Sequence, residues 1–172
     1  MNTKKNLFAM LGTLAIVGYS ATGLAGGMAS GRSQAPAPLE GTWLVRIQPY
    51  VCSTGADVPV PPVLSYLTFG AGGTLLEATS NPAFEPGQRG PGYGFWERTG
   101  RTSYRAVLQA YLLFDSTLTT RYKRGYQRID QGIEFHDDDH WTSDATVQFF
   151  VPPSTTPVPP SGCARATATR ME

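Results

Sequence analysis

From Leu39 onward, apolar and polar residues alternate in short runs, and clusters of glycine, proline, asparagine or aspartate separate one run from the next. A period of two is the pattern of a strand with one face buried. No stretch carries a sustained helical period, and 14 prolines and 19 glycines would interrupt one. Valine, isoleucine, threonine and aromatic residues dominate the runs, as strands prefer. The fold class expected is therefore all-β. Eight strands are predicted: Glu40–Pro49, Val63–Phe69, Gly73–Glu77, Gly92–Arg98, Thr102–Phe114, Leu118–Phe135, His140–Val151 and Gly162–Met171. Most connections are short, as in "GAGG", "RTGR", "FDSTL" and "HDDDH". Strands joined this way form an antiparallel meander, and eight of them close into an up-and-down barrel with no exposed edge.

The first 38 residues stand apart from this pattern. Lys4 and Lys5 precede an apolar run from Leu7 to Tyr19, and small residues follow. This is the three-part layout of an export signal, with a run shorter than the roughly 20 residues a membrane-spanning helix needs. Gly23 and Ala25 place cleavage after Ala25, with Ala29 an alternative. Residues 1–25 are read as a signal peptide, 26–38 as a disordered lead-in and 39–172 as one barrel domain. The mature chain is expected in the periplasm or secreted, with no stable membrane insertion. A net charge of +1, from 14 basic and 13 acidic residues, offers no concentrated basic face for nucleic acid.

An exported chain meets oxidising conditions, and its two cysteines, Cys52 and Cys163, are expected to pair. Cys52 follows the first strand and Cys163 begins the last, so a bond between them would staple the closing seam. With the two cysteines set opposite each other, Val45 falls across from Arg170. Trp43, Val45 and Ile47 then share a face with Ala164, Ala166, Ala168 and Arg170.

Gly41-Thr42-Trp43 at the start of the first strand, with Arg170 near the end of the last, resembles the lipocalins and, more broadly, the calycins. The resemblance implies that Trp43 plugs one end of the barrel and that Arg170 covers its ring. It also implies a lumen that can hold a ligand. The helix that usually follows a lipocalin barrel and the family's Thr-Asp-Tyr motif have no counterpart here. The stretches "YLTFGAGGTLLE", "GPGYGFWERTG" and "CARATATR" resemble small exported bacterial proteins without an assigned activity.

Candidate binding residues follow from strand parity. In "TSYRAVLQAYLLF", Tyr104, Ala106, Leu108 and Ala110 share an apolar face whose alanines leave room inside a barrel. The sixth strand alternates Tyr122, Arg124, Tyr126, Arg128 and Asp130 with equally polar neighbours. One polar face must then point inward, where buried charge demands a partner. Glu97, Asp130 and Glu134 are candidate partners. The expected ligand-binding set is Tyr66, Trp96, Tyr104, Leu108, Tyr122, Arg124 and Tyr126. The Ala78–Pro91 loop would form a lid, with Phe84 dipping inward. His136 and His140 flank three aspartates, but that run reads as a turn rather than a metal site. No Gly-x-Ser-x-Gly, phosphate loop or Cys–His pair is present.

The function expected is non-covalent binding of a small apolar or amphipathic molecule in the lumen, with no cofactor and no metal. One alternative is a barrel cyclase or isomerase similar to allene oxide cyclase, with Glu97 and a Tyr or Arg handling protons or charge. The other is a filled structural barrel.

Overall fold

The computed structural model describes residues 38–114 and 125–172, except for the Pro160 side chain. The expected signal peptide and nearly all of the expected lead-in lie outside these residues. Eight strands follow in chain order: β1 Gly41–Tyr50, β2 Val63–Gly70, β3 Thr74–Ser80, β4 Arg89–Arg98, β5 Ser103–Leu112, β6 Gly125–Asp137, β7 His140–Phe150 and β8 Val158–Arg170. Each pairs antiparallel with the next, and β8 returns to β1 to close the barrel. The expected fold class is the one found.

Closure follows the expected faces with a register two residues away. Tyr50, not Cys52, stands opposite Cys163, and Trp43 stands opposite Arg170. Val45 and Ile47 face Ala168 and Ala166. A two-residue slip preserves the inward set because side chains alternate with that period. Cys52 has left the strand for a turn and reaches back to Cys163, with Cα atoms 5.3 Å apart.

One end of the barrel is packed shut. Trp43, Trp141, Phe69, Trp96, Tyr104 and Phe135 meet edge to face or tilted, in a closed ring with centroids 5.5–6.3 Å apart. Six strands contribute one ring each, and such geometries suit aromatic quadrupoles. Arg170 lies over the Trp43 ring at 4.2 Å and donates to the Glu40 and Asp138 carbonyls, both at 2.9 Å. Trp43 Nε1 donates to the Leu39 carbonyl at 2.9 Å. Gly41 has φ +124°, and a Cβ there would sit 2.9 Å from Arg170 Nη1. The Gly-x-Trp spacing thus has a physical reason: glycine permits the strand entry and leaves space for the guanidinium.

Several boundaries differ from the sequence reading, among them the end of β3, at Ser80 rather than Glu77. β4 starts at Arg89 rather than Gly92, across an irregularity between Arg89 and Gly92, so the loop before it shortens to 81–88. β8 starts at Val158, where Pro159 is accommodated beside a register shift. β6 begins its described course at Gly125 and runs to Asp137. The weakest ladder is β3–β4, which pairs only from Thr74 to Glu77. Above that point β4 continues to pair with β5, through Arg89 and Leu112.

Candidate ligand-binding site in the upper barrel

Above the aromatic ring, the inward positions change character. On β3 the inward residues are Leu75, Glu77 and Thr79; on β6 they are Gln127, Ile129, Gln131, Ile133 and Phe135. The alanines Ala164 and Ala166 face them from β8. Small residues on one side and long ones on the other divide the upper lumen into two halves.

The first half is filled by polar groups. Arg89 and Glu77 form a buried ion pair, with side chains 5% and 2% exposed. The pairing is bidentate, Nη1 to Oε2 at 2.9 Å and Nη2 to Oε1 at 3.1 Å. Arg89 Nε donates to Gln127 Oε1 at 2.6 Å, and Nη1 also donates to the Gly90 carbonyl. Thr79 Oγ1 donates to Glu77, and the Ser65 and Thr79 hydroxyls share a hydrogen bond of 2.7 Å. Removing two charges from water is costly, and this geometry answers with near-complete hydrogen bonding.

The second half holds a cavity of about 50 Å³. Its walls come from β1, β2 and β5–β8, including Val45, Ile47, Leu67, Leu108, Ile129, Val147 and the alanines Ala145, Ala164 and Ala166. Its polar groups are neutral: Gln131 and Ser143, with the Ser143 hydroxyl donating to Gln131 Oε1 at 3.3 Å.

Of the sequence-predicted residues, Leu108 lines this cavity. Trp96 and Tyr104 point inward but belong to the aromatic ring at the closed end; Trp96 Nε1 donates to the Gly70 carbonyl. Tyr66 lies on the outer surface, 49% exposed, which corrects its expected lumen position. The reason is parity: on β2 the inward residues are Val63, Ser65, Leu67 and Phe69. Tyr126 also faces away from the lumen and stacks on Phe150 at 4.9 Å. Tyr122 and Arg124 lie outside the described residues. Phe84 is half-buried beside a groove of about 300 Å³ under the 81–88 loop.

The carboxylates expected to balance a lumenal charge also sit outside. Glu97 is exposed, 3.8 Å from Arg105, and Asp130 accepts from Arg105 at 2.6 Å. The Arg105 hydrogen bond holds the Asp130 carboxyl below the usual carboxylate range, against partial desolvation. A depressed folded value supplies stability above the unfolded pKa of about 3.9, which is lost as pH falls through the folded value. Urea midpoints at pH 5 and pH 3 are therefore expected to differ less in Asp130→Asn than in the wild type. At the β6–β7 turn, Asp137 is likewise held low, first by the Asp139 backbone N–H and then by His140. His136 bonds Thr142, and His140 bonds Asp137. Among the described residues no cluster of three or more His, Cys, Asp or Glu forms a metal-binding set.

The sequence reading missed Glu77, Arg89, Gln127, Gln131 and Ser143. The inward parity of β6 was available from Ile129, Ile133 and Phe135, which alternate with glutamines. Arg89 had no such mark, because glycines and prolines surround it.

No family model and no curated protein matches the sequence. Among solved structures, the chain is similar to EF1p2_mFAP2b bound to DFHBI, with a TM-score of 0.52 and 13% identity, over 78% of this chain and 94% of that one. At that identity the likeness is one of fold. Among the described residues no helix is long and apolar enough to cross a membrane.

Proposed function

We propose that the protein binds a small, mainly apolar molecule in the upper half of its barrel, as an exported carrier or sensor. The observation that carries this reading is the cavity beside Ala164 and Ala166: apolar walls, two neutral hydrogen-bonding side chains, and a polar plug occupying the rest of the lumen. The similar barrel is described with a small molecule bound, which supports a fold able to hold one. The disulfide supports export, since such bonds persist in oxidising compartments.

Cavity size limits the ligand. About 50 Å³ is well below the roughly 300–1,000 Å³ of drug-sized sites, and below the ~150 Å³ cavity that admits benzene. The site as it stands suits a molecule of a few heavy atoms. The same volume favours a second reading, a filled barrel that works through its outer surface, where Tyr66, Tyr93 and Phe95 are exposed.

Thermal unfolding with short alkanols and xenon separates the two. A carrier gains stability with the logarithm of probe concentration, by about 2.7 kcal/mol at a hundredfold excess over Kd. A filled barrel gains none with any probe. Ala166→Val is expected to stabilise the free protein by about 0.5–2 kcal/mol through cavity filling and to abolish the probe response.

A further inference from the structure

The charged pair in the upper barrel bears on what the cavity can accept. Arg89 is bound on four N–H groups: two to Glu77, one to Gln127 and one to the Gly90 carbonyl. Glu77 in turn accepts from Arg89 on both oxygens and from Thr79. The two charges cancel within a single bidentate contact. The guanidinium is therefore not a free hook for an anion, although a buried arginine beside a cavity invites that reading.

The plug lies one side-chain layer from the cavity. A Cβ on Gly92 would fall 2.4 Å from Glu77 Oε2 and 3.0 Å from Leu108 Cδ1, so Glu77 and Leu108 converge on that glycine. Leu108 is itself a cavity wall. On β6, Gln127 holds Arg89 while Ile129 and Gln131, at the next inward positions, face the cavity. Among the described residues, an ion entering the cavity would find Gln131 and Ser143 as the only polar side chains in the wall, and neither carries charge. An unpaired buried ion is strongly disfavoured.

We propose that the upper barrel is selective for uncharged ligands, small alcohols, ketones or ethers, and that Glu77 sets this selectivity by neutralising Arg89. This rests on the lumenal binding proposed above. Glu77 acts as a positioning and specificity residue; the groups that touch the ligand are those of the cavity wall.

The test is a charge series of one shape, n-butanol, butyrate and butylammonium, titrated by NMR at pH 7 into the wild type and into Glu77→Gln. In the wild type, butanol is expected to shift the methyl resonances of Val45, Leu108 and Val147. Both ions should bind at least about a hundredfold more weakly, as expected for burying an unpaired charge. In Glu77→Gln the uncompensated guanidinium should raise butyrate affinity by about tenfold or more, and leave butylammonium excluded. Butyrate binding the wild type as well as butanol does would overturn the selectivity and leave lumenal binding standing. Absence of binding by all three probes would overturn both proposals. If Glu77→Gln fails to fold, the wild-type ratio of butanol to butyrate decides the selectivity, and the same series in Glu77→Asp, whose shorter side chain loosens its hold on Arg89, decides the role of Glu77: raised butyrate affinity supports it and an unchanged ratio removes it. A folded Glu77→Gln that still excludes butyrate removes Glu77 from the role.

Discussion

Replacing Trp43 with alanine is expected to cost about 3–5 kcal/mol of folding stability, the range for emptying a large aromatic from a core. Trp43 is 0% exposed, and it joins Phe135 to Trp141 in the aromatic ring. Its loss opens that ring, leaves the Leu39 carbonyl without its indole donor, and takes away the surface under Arg170. Each consequence acts at one end of the barrel, where neighbouring strands have little room to collapse. Urea denaturation with an unchanged m-value is the measurement. A loss below about 1 kcal/mol would mean that the site collapses or refills, contrary to the interior density seen in folded proteins. Trp43→Phe keeps an aromatic ring at the site and loses the indole N–H and part of the ring volume, so it should cost clearly less.

Breaking the Cys52–Cys163 bond should have a comparable effect through a different route. The bridge spans 111 residues, and the chain-entropy description assigns a loop of that length about 4–5 kcal/mol. Both sulfurs lie at the rim remote from the aromatic ring, so reduction adds freedom to the unfolded chain while disturbing little of the core. The expected result is a large drop in the urea midpoint on adding reductant, reproduced by Cys52→Ala/Cys163→Ala. Near-ultraviolet circular dichroism at low urea should stay close to that of the oxidised protein, because the clustered tryptophans keep their packing. Loss of that signal on reduction would show that the staple maintains the native barrel itself.

The strands were legible because one-sided burial writes itself into alternation. Val63, Ser65, Leu67 and Phe69 on β2, and Tyr104, Ala106, Leu108 and Ala110 on β5, are direct instances. The seam was legible for a chemical reason: two cysteines in a chain expected to be exported have each other as partners. Trp43 and Arg170 were legible through the resemblance of Gly41-Thr42-Trp43 and the late arginine to the lipocalin pattern, and the structure stacks them. β6 misled because residues 121–128 carry basic residues on both alternations, and the aliphatic residues that reveal the inward face begin only at Ile129. Outward placement of Arg128 and Asp130 is cheap, since Arg105 on the neighbouring strand pairs with Asp130 and solvent bathes the rest. Arg89 was illegible for another reason. Its burial depends on Glu77 meeting it across a strand boundary, a relation of tertiary distance with no local period.

The Glu77–Arg89 contact also has a mechanical meaning. Backbone pairing between β3 and β4 ends at Glu77, while the opposite seam is held by a covalent bond at the same rim. The wall is thus welded on one side and merely buttoned on the other, with a side-chain clasp standing in for missing ladder bonds. Any widening of the mouth must begin beside the 81–88 loop. Amides of Ala78–Ser80, Gly90 and Gly92 should accordingly exchange with solvent well before those of β1 and β8, and a visiting molecule would come and go by that side.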